Sequence, residues 1–261
     1  MIVHAEYQQK NGGDPTAEWI AARTGCLTAS EFGRFVKLDG SLRKGEMPES
    51  YLDEKLFERW TGRQMPNEFF SMAVNNGIIV EEKASAFAAL EYGLNIKHVG
   101  FVSNEAESVG ASPDGLIDFG YLLDDKPSVI ERVKPGASGI EIKCPSLKKH
   151  IGYVRAGQLP DDYICQVQGS MNVTGAATWH FLSYPLACYL DGFPPLHMVI
   201  ERDEKWQANF AESVESFLEK YDAEFENLVK LNGGLPKQKH RSLESLDEET
   251  KTSGVDYLAG A

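Results

Sequence analysis

Gly139-Ile-Glu-Ile-Lys-Cys-Pro145 decides the fold, read together with the upstream stretch Gly110-Ala-Ser-Pro-Asp-Gly-Leu116. Glu141 and Lys143 alternate with Ile140 and Ile142, so on a period-two strand both polar side chains leave the same face. Asp114 stands at the tip of the Ser-Pro-Asp-Gly turn. Two carboxylates and a lysine arranged this way suit metal-assisted phosphodiester cleavage. Carboxylate oxygens hold a hard divalent cation. The cation polarises the phosphate and helps to form hydroxide, while the lysine holds the nucleophile or the developing negative charge. Taken alone, Glu-x-Lys is commonly a solvated strand face, so the rest of the chain must carry the reading.

A chain of 261 residues suits one core with elaborations, spanning 1–232 and followed by a polar tail over 233–261. Hydrophobic residues at 42% and charged residues at 25% are the balance of a soluble globular protein. Met1-Ile-Val-His-Ala-Glu6 lacks a basic start followed by an apolar run, and no stretch approaches a membrane span. The expectation is a cytoplasmic protein with no membrane partner. Cys26, Cys144, Cys165 and Cys188 lie far apart, which argues against a zinc ribbon or an iron–sulfur cluster.

The net charge of −13 opposes DNA binding, which normally needs a basic footprint. The acid, however, concentrates in 201–226 and 243–249, while Arg34, Lys37, Arg43 and Lys44 group elsewhere, as do Lys143, Lys148, Lys149 and Arg155. A negative exterior around a positive lining would confine DNA to one place.

Periodicity predicts short helices over 16–22 and 28–36, broken near Gly25, with Thr28 and Ser30 offering caps. A mobile loop is expected over 37–48, then helices over 51–61 and 69–92, the latter ending at Gly93. Strands are expected over 97–103, 109–111, 116–119 and 139–143, with an exposed excursion over 124–137. Helices over 147–156 and 161–173 and strands over 178–184 and 196–202 follow. Residues 204–231 place Trp206, Phe210, Val214, Phe217, Tyr221, Phe225 and Leu228 on one helical stripe, which reads as core packing. The result is an α/β protein. A mixed sheet over about 69–202 is flanked by helices, with an N-terminal helical part over 15–61.

Ser112-Pro-Asp-Gly115, Glu141-Ile-Lys143 and Tyr163-Ile-Cys-Gln-Val-Gln168, in that order, resemble the lambda-exonuclease family of YqaJ-type viral recombinases, within the PD-(D/E)xK nuclease superfamily. Trp19-Ile-Ala-Ala-Arg-Thr-Gly-Cys-Leu-Thr-Ala-Ser-Glu-Phe32 resembles that family's opening signature. The resemblance covers about residues 15–205. It implies a restriction-endonuclease-like core and a Mg2+-dependent 5′→3′ exonuclease on double-stranded DNA ends. Such an enzyme releases mononucleotides and leaves a 3′ overhang for a single-strand annealing protein. It also implies a homotrimeric ring around DNA and a phage or prophage origin in a bacterial host.

The resemblance further implies that Asp114, Glu141 and the backbone carbonyl of Ile142 hold the metal, with two Mg2+ ions per site and Mn2+ as a substitute. Lys143 would act as a stabilising cation, since service as a general base needs a pKa several units below about 10.4. Glu81 matches the family's helical glutamate, an outer-shell or second-metal ligand; Glu82 is the alternative, turned about 100° away. Gln166 resembles the active-site glutamine. Tyr163, at i and i+3 with it, is either a DNA contact or a packing residue. Arg23 and Ser30 would take a 5′-phosphate, with a plain helix cap as the other reading of Ser30. The family's loop arginine falls near Asp39-Gly40, leaving Arg34, Arg43 or Lys44 as substitutes. His98, His150, His180 and His197 have no metal-ligand spacing and read as structural or surface residues. A restriction-type endonuclease on the same core and a silent DNA-end-binding scaffold are the competing readings.

Overall fold

The alternation around Glu141 does form a strand, but one buried on both faces from Ser138 to Ile142, with only Lys143 rising to partial exposure. A computed structural model describes residues 1–4, 17–65, 72–119, 128–129 and 136–235, with backbone alone for 72–79 and 128–129. In chain order the elements begin β1 (Ile2–His4), α1 (Ala17–Arg23), β2 (Leu27–Thr28), a 3-10 helix (Ala29–Arg34), α2 (Glu46–Thr61) and α3 (Met72–Glu91). The central strands are β3 (Ile96–Lys97), β4 (Phe101–Ser103), β5 (Val109–Ala111), β6 (Gly115–Ile117), β7 (Ser128–Val129) and β8 (Ser138–Lys143). Then come α4 (Leu147–Ala156), α5 (Asp161–Thr174), β9 (Thr178–Ser183), α6 (Leu186–Asp191), β10 (Leu196–Glu201) and α7 (Glu204–Leu231).

The expected mixed sheet flanked by helices is present, in the order β10-β9-β8-β6-β3. Strand β8 runs parallel to β9, with Glu141 beside Phe181, and antiparallel to β6, with Ile140 beside Gly115. A second sheet, β2-β5-β4-β1-β7, stands beside it. The run read as one strand over 97–103 divides between the two sheets. His98 and Gly100 mark the division, because the His98 ring bonds Asp114 and the Gly100 carbonyl accepts from Trp19 Nε1.

Helix α7 buries Trp206, Phe210, Phe217 and Tyr221, the stripe read from its periodicity. Asp203 caps it by accepting from the amides of Lys205 and Trp206. Phe32 meets Phe210 at 4.8 Å and Phe35 meets Phe217 at 4.7 Å between ring centroids. Each such ring contributes roughly 1.5–3 kcal/mol through burial.

The structure corrects several expectations. Residues 28–36 are not one helix: Leu27 and Thr28 pair in parallel with β5, and a 3-10 turn follows. Thr28 makes no side-chain cap there, because its backbone is committed to the sheet. Residues 37–48 are not a free loop. Val36 and Leu42 bridge, Asn209 donates to the Asp39 carbonyl, and Ser213 donates to the Gly40 carbonyl. Gly40 is required, since its φ is +80° and an added Cβ would lie 2.6 Å from the Trp206 carbonyl oxygen. Helix α2 starts at Glu46 rather than 51, with Pro48 in the first turn, where no amide donor is needed. Strands β1 and β7 and the short helix α6 were not anticipated. Of the 124–137 excursion, Ser128–Val129 pairs with β1, while 124–127 and 130–135 lie outside the described residues. Most of the 233–261 tail, from 236 on, also lies outside them.

Gly169 in the middle of α5 gives a stability test. Helix-interior glycine to alanine normally gains about 1 kcal/mol. Here an added Cβ would fall 2.2 Å from the fully buried Phe32 ring. Gly169→Ala is therefore expected to destabilise the protein by about 1–3 kcal/mol in urea unfolding. Equal or greater stability would show that the α5 contact with the 3-10 helix is looser than described.

Candidate active site

Strand β6 begins at Gly115 beside Ile140, which sets Asp114 at the strand end next to Glu141. Asp114 Oδ2 accepts a hydrogen bond of 2.5 Å from the Ile142 amide. His98 Nδ1 lies 2.8 Å from the Asp114 carbonyl oxygen and steadies the same turn. In a strand the amide and carbonyl of one residue lie on one edge, so the Ile142 carbonyl shares the side Asp114 occupies.

Glu141 is 2% exposed. Its Oε1 receives Lys143 Nζ at 2.5 Å and Gln166 Nε2 at 2.6 Å, while its Oε2 is buried without a partner. Burial pushes the Asp114 carboxyl well above its usual range, and the charges of Glu141 and Glu81 push the same way. Burial likewise raises Glu81, again with Glu141 beside it. Glu82 is exposed on the next position of α3, so Glu81 is the member of the pair that faces the acids. Burial works against the Lys143 charge, but Glu141 and Asp114 outweigh it and hold the lysine as an ammonium.

The side chains brought together are thus Glu81, Asp114, Glu141, Lys143 and Gln166, with Tyr163 covering the lysine at 5.2 Å. An orphaned carboxylate oxygen and two acids held partly against ionisation form a donor set short of positive charge. That chemistry fits a hard divalent cation. Among the described residues, no three acidic, histidine or cysteine side chains enclose an ion by themselves. The set suits an ion that completes its shell with a backbone carbonyl, water and phosphate, as Mg2+ does.

A cavity of about 420 Å³ beside this centre is lined by Arg23, Thr28, Ser30, Arg34 and Lys55, among others. Arg23 donates to Ser112 Oγ at 2.6 Å and stacks on Trp19 at 4.4 Å. Its Nε and the Thr28 hydroxyl are buried without partners. Ser30 is exposed on the 3-10 turn and lines the cavity. Arg34 is tied to Glu54 at 2.7 Å and Glu31 at 3.1 Å, so its charge is largely compensated. A neighbouring cavity of about 350 Å³ runs from Ser30 past Arg43 to Gln166. Arg43 Nε is buried without a partner, whereas Lys44 is exposed and lines neither space.

Lys55, Thr28 and His98 were not read as site residues from the sequence. Lys55 carried a usable signal: a lysine four residues from Tyr51 on the buried stripe of α2, paired with Glu58 at 2.9 Å. Among the described residues the other histidines have structural partners: His4 bonds Ser103, His150 bonds Ser183 and Pro194, and His180 bonds His197. A larger space of about 540 Å³, lined by Phe210, Val214 and Leu218 with an acidic rim, contains none of these groups. Among the described residues no helix is long and apolar enough to cross a membrane.

A family model described as the YqaJ-like viral recombinase domain matches residues 18–177. The crystal structure of an alkaline exonuclease, LHK-Exo, from Laribacter hongkongensis is 30% identical, with a TM-score of 0.65. The match covers 84% of this chain and 98% of that one. The same enzyme in complex with dAMP matches with a TM-score of 0.66. A phage related exonuclease from Haemophilus somnus 129PT, 17% identical with a TM-score of 0.52 over 78% of this chain and 96% of its own, shares the fold. A putative uncharacterized protein, ExoD, from Escherichia coli strain K12 is 43% identical over 60 residues, 23% of this chain and 67% of that protein.

Proposed function

The chain belongs to the YqaJ-like viral recombinase family, and from that premise we propose that it is a Mg2+-dependent 5′→3′ exonuclease acting on double-stranded DNA ends. The observation that carries this reading is the convergence of Asp114 and Glu141 at adjoining strand ends, with the Lys143 ammonium against Glu141. Asp114, Glu141 and the Ile142 carbonyl would hold Mg2+, with Glu81 serving a second ion or the outer shell. When bound, Mg2+ supplies Lewis-acid polarisation of the phosphate and lowers the pKa of a water. Gln166 donates to Glu141 Oε1 and so fixes which oxygen remains for an ion. Lys143, kept protonated, stabilises charge that grows on the phosphate oxygens.

Arg23, Ser30 and the Thr28 hydroxyl would receive the 5′-phosphate, Arg23 through its unpartnered Nε. Each cut leaves a new 5′-phosphate, so the product of one step is the handle for the next. The dAMP complex of LHK-Exo, a mononucleotide bound to a relative, is consistent with release one nucleotide at a time. A homotrimeric ring with a basic lining would reconcile the net charge of −13 with DNA binding. The 3′ overhang left behind would pass to a single-strand annealing protein of phage-type recombination in the host cytoplasm.

The test is end-labelled linear duplex with Mg2+, offered with a 5′-phosphate, with a 5′-hydroxyl, and beside a closed circle. Release of labelled mononucleotide from the phosphorylated linear form, with the circle untouched, is the expected result. Cleavage of the circle would instead establish an endonuclease. Light scattering should give three chains per particle, and a strict monomer would remove the ring.

Metal binding should also depend on pH with a definite sign. Asp114 and Glu81 bind protons above the ordinary carboxylate range, and a cation must displace those protons. The Mg2+ concentration for half-maximal rate is therefore expected to rise as pH falls from about 8 to about 6. A flat profile in metal titrations would show that neither acid contributes to the ion.

A further inference from the structure

We propose that Tyr163 is a positioning residue that holds the Lys143 ammonium over the active site by the face of its ring, rather than a contact for DNA. The inference rests on the reading of Lys143 as a catalytic cation. Lys143 Nζ lies 5.2 Å from the Tyr163 ring centroid, within the range of a cation–π attraction. Lys143 is the last residue of β8, where the strand leaves its two-sided burial, so the pleat sets the face its stem leaves but not where the flexible four-carbon stem ends. Its ion pair with Glu141 Oε1 is shared, because Gln166 Nε2 occupies the same oxygen at 2.6 Å.

The ring, by contrast, is fixed from several sides. Phe181 of β9, the neighbour of Glu141 in the sheet register, packs against it at 5.3 Å and 35°. Tyr153 of α4 meets it edge-on at 6.1 Å and 82°, with the two hydroxyls 3.5 Å apart. The first turn of α5 anchors the backbone through the Tyr163 amide and the Pro160 carbonyl at 2.9 Å. A clamped aromatic face and a flexible cation divide the work. The ring supplies direction and a negative potential, and the lysine supplies the charge. The Tyr163 hydroxyl points toward Tyr153 and is not needed for this role.

The test replaces Tyr163 with phenylalanine, with a ring-fluorinated phenylalanine of the same shape, and with leucine. Phenylalanine should keep kcat near that of the unmodified protein. The fluorinated ring, whose face has lost its negative potential, should lower kcat several-fold, and leucine by about tenfold, with KM unchanged. In the metal-free protein, the Lys143 methylene protons next to the ammonium should carry a ring-current NMR shift in the tyrosine and phenylalanine forms. Leucine should abolish it.

A fluorinated ring as active as phenylalanine would reduce Tyr163 to packing and overturn the proposal. So would phenylalanine as impaired as leucine, which would assign the work to the hydroxyl, or a change in KM alone, which would mark a DNA contact. The fluorinated variant keeps the shape of the site, so the outcome does not depend on leucine folding. Lys143→Ala separates this inference from the premise. Full activity there sinks the reading of the centre. An inactive Lys143→Ala beside fully active Tyr163 variants sinks only the role given to the ring.

Discussion

Asp114→Asn is expected to abolish nucleotide release, by about a thousandfold or more, and at the same time to make the metal-free protein harder to melt. Both effects follow from one geometry. The asparagine side chain keeps an oxygen for the Ile142 amide, so the turn before β6 keeps its hydrogen bond. What goes is a negative charge in a desolvated space already holding Glu141 and Glu81. If Asp114 holds Mg2+ as proposed, the neutral side chain would weaken the grip on the ion, and with it the Lewis-acid polarisation of the phosphate that the ion supplies.

The stability sign is the opposite one. A carboxyl raised in the folded state binds a proton more tightly there than in the unfolded chain. Its ionisation therefore weakens the fold as pH rises from the ordinary carboxylate value through the raised one. At neutral pH the asparagine variant avoids that cost, and its Tm should exceed that of the unmodified protein without metal. Added Mg2+ should then raise the Tm of the unmodified protein and leave the variant where it was. Calorimetry with and without Mg2+ reads all of this. A variant that cleaves DNA normally, or that melts lower without metal, contradicts the account of the acid cluster.

Arg23→Ala is the second large effect, and its signature is selective. Charge-assisted hydrogen bonds contribute about 1.5–3 kcal/mol each, so digestion of 5′-phosphorylated ends should slow by about 10–150-fold. Ends carrying a 5′-hydroxyl should slow far less, because they never used the guanidinium. Arg34 cannot substitute, since Glu54 and Glu31 already occupy it, and Lys55 is held by Glu58. Single-turnover rates on the two end types measure the ratio. If the ratio stays as large as in the unmodified protein, Arg23 does not read the end.

The centre was legible in the sequence because its logic is local. Glu141 and Lys143 share a strand face, Gln166 and Tyr163 share a helix face, and a Ser-Pro-Asp-Gly turn announces Asp114. The long helix was legible for the same reason, its aromatic residues recurring every three or four positions. What escaped depends on partners distant in the chain. Ile2–His4 is too short to show a period, and it is a strand only because β4 and β7 lie on either side. The run over 97–103 looks continuous, yet His98 leaves it to bond the carbonyl of Asp114. Lys55 had its main partner, Glu58, only one turn away, but its second acid, Glu31, comes from the distant 3-10 helix. The segment over 37–48 has the glycine and charge of a free loop, and nothing local foretells that α7 would tie it down.

That tether has a wider consequence. Helix α7 spans 28 residues, about 42 Å, and its first half carries the Asp39 and Gly40 carbonyls on the side chains of Asn209 and Ser213. The segment that brings Arg43 to the space beside Gln166 is thus suspended from α7. Random screens for destabilised variants should therefore recover Trp206, Asn209 and Ser213, which hold the backbone of residues 39 and 40 in place. An insertion between 37 and 45, ordinarily a forgiving place to lengthen a chain, should prove costly here.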